Sequence, residues 1–412
     1  MRYIYGVIFG MLMGLAFASH ATVSSLVADT KSGFVIESEE ATLQQPPASL
    51  TKLMTLYLMF GALDSGLLKM DDPLPISEYA AAQPKSKIDV VPGETISARE
   101  AVMALIIKSA NDVAVVVAEA LAQDEDRFAE LMTRTAQALG LRHTVFKNAS
   151  GLHVDGQVST ARDMAILTMA IISHYPEYYR LFAEPSFSYK GQTYYSHNAL
   201  LQQYEGAEGL KTGYVSAVGY NIVSTARQGD VRLVSVVIGE DTPNKRDLRA
   251  MRLLDKGFHQ VDIQKRAEAS GRLKSAFNPL NRRAFMSNPP SAVFLPTLKF
   301  GISNCRKKLA SLKKKSMPVV RVSKSEPIST VEQGDNWSIQ VGAFEGEDKA
   351  RRTAEQAASI LGTQNKEIIT PRANNHFFRS RIQGFSQAEA HNACRRLKDA
   401  SWQCFAVAPG KS

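Results

Sequence analysis

Ser49 and Lys52 stand three residues apart in PPASLTKLMT (Pro46 to Thr55), at the start of a helical pattern, so their side chains share one helix face. A lysine amine beside a serine hydroxyl can take its proton when the amine is neutral, which requires burial or neighbouring positive charge to lower its pKa. The helix start also offers a backbone N–H to a developing oxyanion. A second pair, Ser109 and Asn111, lies in KSAND (Lys108 to Asp112), where one helical pattern stops and another starts. There a serine can relay a proton between Lys52 and a leaving amine, and the asparagine amide can hold a substrate peptide group. A third group, Lys211, Thr212 and Gly213, leads into a strand in GLKTGYVSAVGYN (Gly209 to Asn221). Lys211 and Thr212 suit an anionic group, Gly213 admits a ligand close to the backbone, and the Tyr214 N–H is a candidate second oxyanion donor.

Taken singly, each group is also what an ordinary helix cap, helix end or strand entry looks like. Ser311 and Lys314, Ser196-His197-Asn198 and Lys31-Ser32-Gly33 fit the same short patterns. Order and spacing separate the first set from these decoys: Ser109 follows Ser49 by 60 residues and precedes Lys211 by 102.

The surrounding elements follow from apolar periodicity. A hairpin spans Val23 to Ile36 around the turn at Lys31-Ser32-Gly33, and a helix runs from Ser49 to about Leu63. Further helices are expected at 98–107, 111–122 and 125–139, with Ser97 and Asp124 as caps, and from Ser159-Thr160 to about Ser173. Strands at 219–226 and 231–239 follow, the second rich in β-branched residues, and a helix at 244–257 closes the unit. Strands thus lie at both ends and helices fill the middle. Between 260 and 335 no periodicity is sustained. Prolines recur, and Lys265 to Lys324 holds fifteen Lys or Arg and one acid, Glu268. This reads as a basic flexible linker, a candidate for contact with an anionic surface. A weak repeat closes the chain. NWSIQVGAF (Asn336 to Phe344) precedes a helix at 347–361, HFFRSRIQGF (His376 to Phe385) precedes one at 386–398, and strands at 366–370 and 403–407 complete a small sheet.

The 412 residues are 44% hydrophobic, enough for a large core, and the net charge of +9 belongs mostly to the linker. No recognition motif for nucleic acid accompanies it. Arg2, the apolar run Ile4 to Phe17 and the small residues Ala16, Ala18, Ser19 and Ala21 read as a secretory signal cut after Ala18 or Ala21. No later segment is long and apolar enough to cross a bilayer. Cys394 and Cys404 could bridge in an exported protein, leaving Cys305 odd, though spacing alone does not decide it. Nothing in the Cys and His positions suggests a zinc site.

In their order, Ser-x-x-Lys, Ser-x-Asn and Lys-Thr-Gly resemble the penicillin-binding proteins and serine β-lactamases. FKNASGL (Phe146 to Leu152), STARDMA (Ser159 to Ala165) and RLLDKGF (Arg252 to Phe258) narrow the resemblance to the low-molecular-weight D-Ala-D-Ala carboxypeptidases. The resemblance implies an α/β fold of the β-lactamase/transpeptidase type over 22–259, with an antiparallel sheet flanked by helices and an all-helical region. It also implies a serine carboxypeptidase that removes the terminal D-alanine from peptidoglycan stem pentapeptides. Ser49 would be the acylated nucleophile, Lys52 its base and Ser109 the proton shuttle. Asn111, Lys211, Thr212, Gly213 and Tyr214 would bind substrate, and Arg246, eleven residues before Gly257, would take the terminal carboxylate. No metal or organic cofactor is implied, and β-lactams would acylate the same serine. Many relatives continue into a small all-β domain and an amphipathic membrane helix; here the chain passes into the basic stretch instead.

Residues 336–408 resemble a SPOR domain, which binds glycan strands lacking stem peptides, with Gln340, Arg379 or Arg381 as the solvent-facing candidates. Export to the periplasm of a Gram-negative bacterium, with enrichment at the division septum, is what the combination implies. Alternatives are an endopeptidase of the same family, a serine β-lactamase and a non-catalytic wall-binding protein. Class A β-lactamases carry Glu-x-x-Leu-Asn between the second and third motifs, and no such segment occurs between Asn111 and Lys211.

Overall fold

The structure, a computed structural model, describes residues 22–269, 280, 288–315, 337–344, 347–363, 367–370, 372–374, 377–399 and 404–407. The expected leader at 1–21 lies outside the described residues. The chain divides into two compact units, Met1–Pro318 and Val319–Ser412.

The first unit is built on a five-stranded antiparallel sheet. Its strands are β1 (Ser24–Asp29), β2 (Val35–Glu39), β3 (Ala207–Val215), β4 (Gly219–Gln228) and β5 (Val231–Glu240), in the order β2-β1-β5-β4-β3. Strands from both ends of the unit therefore share one sheet. Between β2 and β3 lie the helices α1 (Lys52–Asp64), α2 (Asn111–Ala122), α3 (Glu125–Ala138) and α4 (Ala161–His174), with α5 (Pro243–Ala269) after β5. Side chains alternate across β5, so one face of the sheet meets α5 and the other meets the helices. Leu233 and Val237 join Ala250, Leu253 and Leu254 on α5, whereas Val234, Val236 and Ile238 join the helical core. Coverage on both faces explains why this strand reads as a continuous apolar run.

α1 is apolar on every side, and every residue from Lys52 to Leu63 is buried, which makes it the central helix. Its neighbours begin at sequence-legible caps. Asp124 accepts from Arg127 N at 2.8 Å, Thr160 accepts from Asp163 N at 3.0 Å, and Ser97 forms a capping box with Glu100.

The structure corrects the linker reading. Ser291–Lys315 is one helix, α6, docked on the first unit, and α5 continues to Ala269. Phe294, Leu298, Ile302 and Cys305 are buried on its inner face, and burial pushes the Cys305 thiol up to about 11. The Phe294 ring lies 6.2 Å from that of Tyr57 on α1. Gly61 is required beneath it, because a Cβ there would stand 2.8 Å from Phe294 Cε2. On the same helix, a Cβ at Gly301 would stand 2.0 Å from the Leu121 carbonyl oxygen. Arg306 anchors the far end through Leu67 O at 3.0 Å and Asp72 at 3.3 Å. The basic residues Lys299, Lys307 and Lys308 lie on its solvent side. Of the rest of the expected linker, 270–279, 281–287 and 316–335 lie outside the described residues.

The second unit comprises β6 (Trp337–Phe344), α7 (Glu347–Leu361), β7 (Glu367–Ile369), β8 (Arg372–Asn374), β9 (Phe377–Phe385), α8 (Gln387–Asp399) and β10 (Phe405–Val407). Its sheet runs β7-β9-β6-β10, with β8 also on β9. Ile339, Val341, Ile382 and Phe385 face Ala354, Ala358, Leu361 and Leu397 of the helices. Cys394 and Cys404 form a disulfide that ties α8 to the chain entering β10. Among the described residues no helix is long and apolar enough to cross a membrane.

If α6 is part of the core, Phe294→Ala removes a ring from the contact with α1. The expected loss is about 3–5 kcal/mol, read as a lower urea midpoint for the first unit of the intact chain. An unchanged midpoint would show that this helix is not docked.

Candidate active site

Ser49 sits in a tight 3-10 turn, Ala48–Thr51, that feeds directly into α1. The turn is fixed from four sides. Ala48 takes a left-handed backbone at φ 50°. Gly151, at φ 84°, lies against it where a Cβ would stand 1.9 Å from Ala48 O. From the sheet, Asn221 on β4 directs its amide at Pro47 O (3.4 Å) and accepts from Gly239 N at 3.0 Å. Gln45 exchanges backbone hydrogen bonds with Ser159 at 2.9 Å in each direction, and its side chain accepts from Ser24 Oγ at 2.7 Å. Strand β3, at the edge of the sheet, runs past the turn. A Cβ on Gly213 would stand 3.1 Å from Ser49 N, so glycine lets the strand and the Ser49 turn come this close without a shift.

Lys52 Nζ lies 3.1 Å from Ser49 Oγ, 2.8 Å from Asn111 Oδ1 and 2.5 Å from the Ser150 carbonyl oxygen. Asn111 cannot be turned round, since its Nδ2 donates to Pro84 O at 3.0 Å. Asn111 Oδ1 and Ser150 O are pure acceptors and take the two N–H bonds of a neutral amine. The remaining lone pair then faces the serine hydroxyl. Burial holds the Lys52 pKa well below the ordinary lysine range, and the charge of Lys211 lowers it further, against Asp112 and Glu125. Lys211, on β3, is buried too and donates to Thr212 O at 2.9 Å. Burial first, then Arg246, lowers its pKa to about 7.

The remaining sequence candidates gather around one cleft of about 620 Å³, lined by Ser49, Ser109, Asn111, Thr212, Gly213, Tyr214 and Arg246 among others. Ser109 adopts a left-handed backbone at φ 58°, closing the π turn Ala104–Lys108, and its buried hydroxyl has no hydrogen-bond partner among the described residues. It is thus placed in the cleft but not on Lys52. Asn111 differs from expectation, because its amide is engaged by Lys52 and Pro84, which makes it first a holder of the base. Lys211 lies behind the cleft wall rather than on it, and Lys211-Thr212-Gly213 stand inside β3 rather than before it. Arg246, at the start of α5, is buried and held by its neighbour Asp247 through Nε at 2.9 Å and Nη2 at 2.7 Å.

Sequence reasoning passed over three contributors. Ser150 acts through its carbonyl, which no side-chain motif records. Asn221 stood at the end of a quoted segment without a role. His197 belongs to a supposed decoy, yet it lines the cleft. Partial burial, then Lys211, Lys108 and Arg246, lowers its pKa to about 4. Among the described residues no cluster of His, Cys, Asp or Glu could hold a metal ion.

In the second unit, Gln340 and Arg381 are cross-strand partners on the sheet face opposite the helices, and Arg381 Nε donates to Gln340 Oε1 at 3.1 Å. Arg381 is nearly buried there, not freely solvent-facing as expected, while Arg379 is partly exposed.

Comparison with known proteins places the chain in a family. Residues 14–242 match the family of D-alanyl-D-alanine carboxypeptidases, peptidase S11, and residues 333–408 match the SPOR domain. The Bacillus subtilis D-alanyl-D-alanine carboxypeptidase DacF is 32% identical over 62% of this chain and 68% of its own length. Escherichia coli DacA, of the same description, is 34% identical over 57% of this chain and 60% of its own. The solved penicillin-binding protein D2 of Listeria monocytogenes, in its ampicillin-bound form, is 33% identical. It superposes with a TM-score of 0.50 over 57% of this chain and 96% of its own.

The buried amines make stability depend on pH. In the window between about 7 and the ordinary lysine range, the unfolded chain holds a proton on Lys211 that the folded chain has lost. Stability therefore rises with pH across that window. Lys211→Met is expected to flatten the rise in the urea midpoint between pH 7 and pH 9, and an identical slope in the variant would contradict the assignment.

Proposed function

Because the chain belongs to the D-alanyl-D-alanine carboxypeptidase family, we propose that it removes the terminal D-alanine of peptidoglycan stem pentapeptides through an acyl-enzyme on Ser49. The observation that carries this reading is the buried amine of Lys52, held 2.8 Å from Asn111 Oδ1 and 2.5 Å from Ser150 O, with Ser49 Oγ 3.1 Å away. Lys52 takes the serine proton as Oγ attacks the carbonyl of the penultimate D-alanine. The backbone N–H groups of Ser49 and Tyr214 receive the oxyanion, since the edge strand passes the nucleophile turn at van der Waals contact. The proton returns to the departing amine by way of Ser109, and the leaving residue's carboxylate is held by Arg246 and Thr212 with Lys211 behind them. Water then attacks the ester, with Lys52 again as base.

A β-lactam presents the same electrophile and would acylate Ser49, as suits a chain similar to a penicillin-binding protein solved with ampicillin. The C-terminal unit, on this reading, binds glycan strands through the helix-free sheet face that carries Gln340, Arg379 and Arg381, and it concentrates the enzyme at division sites in the periplasm of a Gram-negative bacterium.

The chemistry is tested by mass spectrometry after penicillin treatment together with D-alanine release from a pentapeptide. The intact chain is expected to gain one penicilloyl group on Ser49 and to release one D-alanine. Ser49→Ala should abolish both, and Lys52→Arg, which cannot shed its proton, should slow acylation by about 10²–10⁴-fold. Full activity in either variant would defeat the reading; cleavage of a cross-linked dimer in place of D-alanine release would redirect it to an endopeptidase. For the second unit, deleting 336–412 should remove binding to glycan lacking stem peptides and abolish septal enrichment of the tagged protein. Undiminished placement would count against that role.

A further inference from the structure

The cleft has two walls. Thr212 to Ser216, Tyr220 and Arg246 belong to the sheet side, whereas Lys85, Ser86, Ser109, Asn111 and Gly151 to His153 belong to the helical side. Among the described residues no aspartate or glutamate lines it. On the proposed reaction, the terminal carboxylate is satisfied on the sheet side by Arg246 and Thr212, and Lys52 works as a neutral base. A fixed positive charge is then left over on the opposite wall, at Lys85.

Lys85 is held in place by the machinery that holds the base. Asn111 Nδ2 donates to Pro84 O at 3.0 Å, and Asn111 N donates to Ser86 O at 2.7 Å, so one residue clamps the backbone on both sides of Lys85. Ser86 Oγ donates to Lys108 O at 2.7 Å, and further along the loop Ile88 N and Val90 N donate to the buried Asp112 carboxylate, each at 3.2 Å from Oδ2. The Lys85 side chain itself is exposed at the cleft and has no hydrogen-bond or ion-pair partner among the described residues. Its neighbour Lys87, by contrast, is paired with Asp89 at 3.2 Å. A charge on a rigid loop, facing a cleft without acids and left unpaired, is arranged for a ligand's anion.

We infer that Lys85 forms a subsite for a carboxylate on the acyl part of the substrate, selecting stem peptides whose third residue carries a free side-chain carboxylate. This rests on the carboxypeptidase reading. When the penultimate D-alanine carbonyl meets Ser49, the third residue is the next one along the chain, about 3.3–3.6 Å per residue away, so its side chain is the first on that side able to present an anion. A lysine there ends in an ammonium alone, whereas meso-diaminopimelate ends in an ammonium and a carboxylate, so only the second offers Lys85 an anion to offset the repulsion between the two ammonium groups.

The test uses two pentapeptides that differ only at the third residue, meso-diaminopimelate in one and L-lysine in the other, with the full-length chain. The wild-type kcat/KM is expected to favour the carboxylate-bearing peptide by about fivefold, the range of a charge-assisted contact at a partly exposed site. Lys85→Met should bring the ratio of the two kcat/KM values close to one, and Lys85→Arg should restore it. A wild-type ratio of one, or a ratio that Lys85→Met leaves unchanged, would overturn the subsite while D-alanine release leaves the reaction itself intact. Turnover of neither peptide by the wild-type chain would overturn both.

Discussion

A lysine amine sealed in the core is the constraint on which the structure turns. Lys52 is fully buried on the most buried helix of the first unit, and three oxygens surround it. Keeping a full charge there is costly unless it is paired, and among the described residues no carboxylate pairs with the amine. Burial and the charge of Lys211 lower its pKa, which favours the neutral form, and Asn111 and Ser150 accept from the amine. Much of the surrounding architecture serves that arrangement. Gly151 lets the Ser150 loop reach the nucleophile turn, Pro84 fixes the Asn111 amide, and Gly213 lets the sheet edge close over Ser49. The lowered pKa is thus a consequence of packing before it is a feature of catalysis.

The sequence made much of this legible because the chemistry needs particular side chains in a particular order. Ser49, Ser109, Asn111, Thr212 and Gly213 do line one cleft, with Lys52 bonded to Ser49 and Asn111 and Lys211 behind the wall, and the caps at Ser97, Asp124 and Thr160 start helices where their residue types suggest. What stayed hidden was of a different kind. The Ser150 carbonyl has no side-chain signature, the role of Asn111 as holder of Lys52 depends on a contact 59 residues away, and His197 looked like a chance match. Arg381 was expected on an open face, but Gln340 and the neighbouring strand cover it.

Within the expected linker, the reading of 291–315 failed for a reason visible in the residues. Phe294, Leu298, Ile302, Cys305 and Leu309 repeat every three to four positions, which is the apolar stripe of a helix. Pro296 and the dense lysines of the outer face obscured it. Once docked, that stripe presses on Tyr57 and α1, so a segment beyond the family match at 14–242 supports the helix bearing Lys52. The chain thereby gains a brace on its catalytic unit before the residues that lead to the second unit. Its basic face is left to solvent while its apolar face is spent internally.

The central claim is most directly tested by the protonation of Lys52 itself. Carbon-13 NMR of protein labelled at the lysine Cε positions, with the Lys52 signal assigned by its disappearance in Lys52→Arg, follows that amine through a pH titration. The account predicts a signal already in the neutral form at a pH where surface lysines remain fully protonated, in keeping with the burial and the nearby charge of Lys211. A Lys52 signal that titrates together with the surface lysines would contradict it.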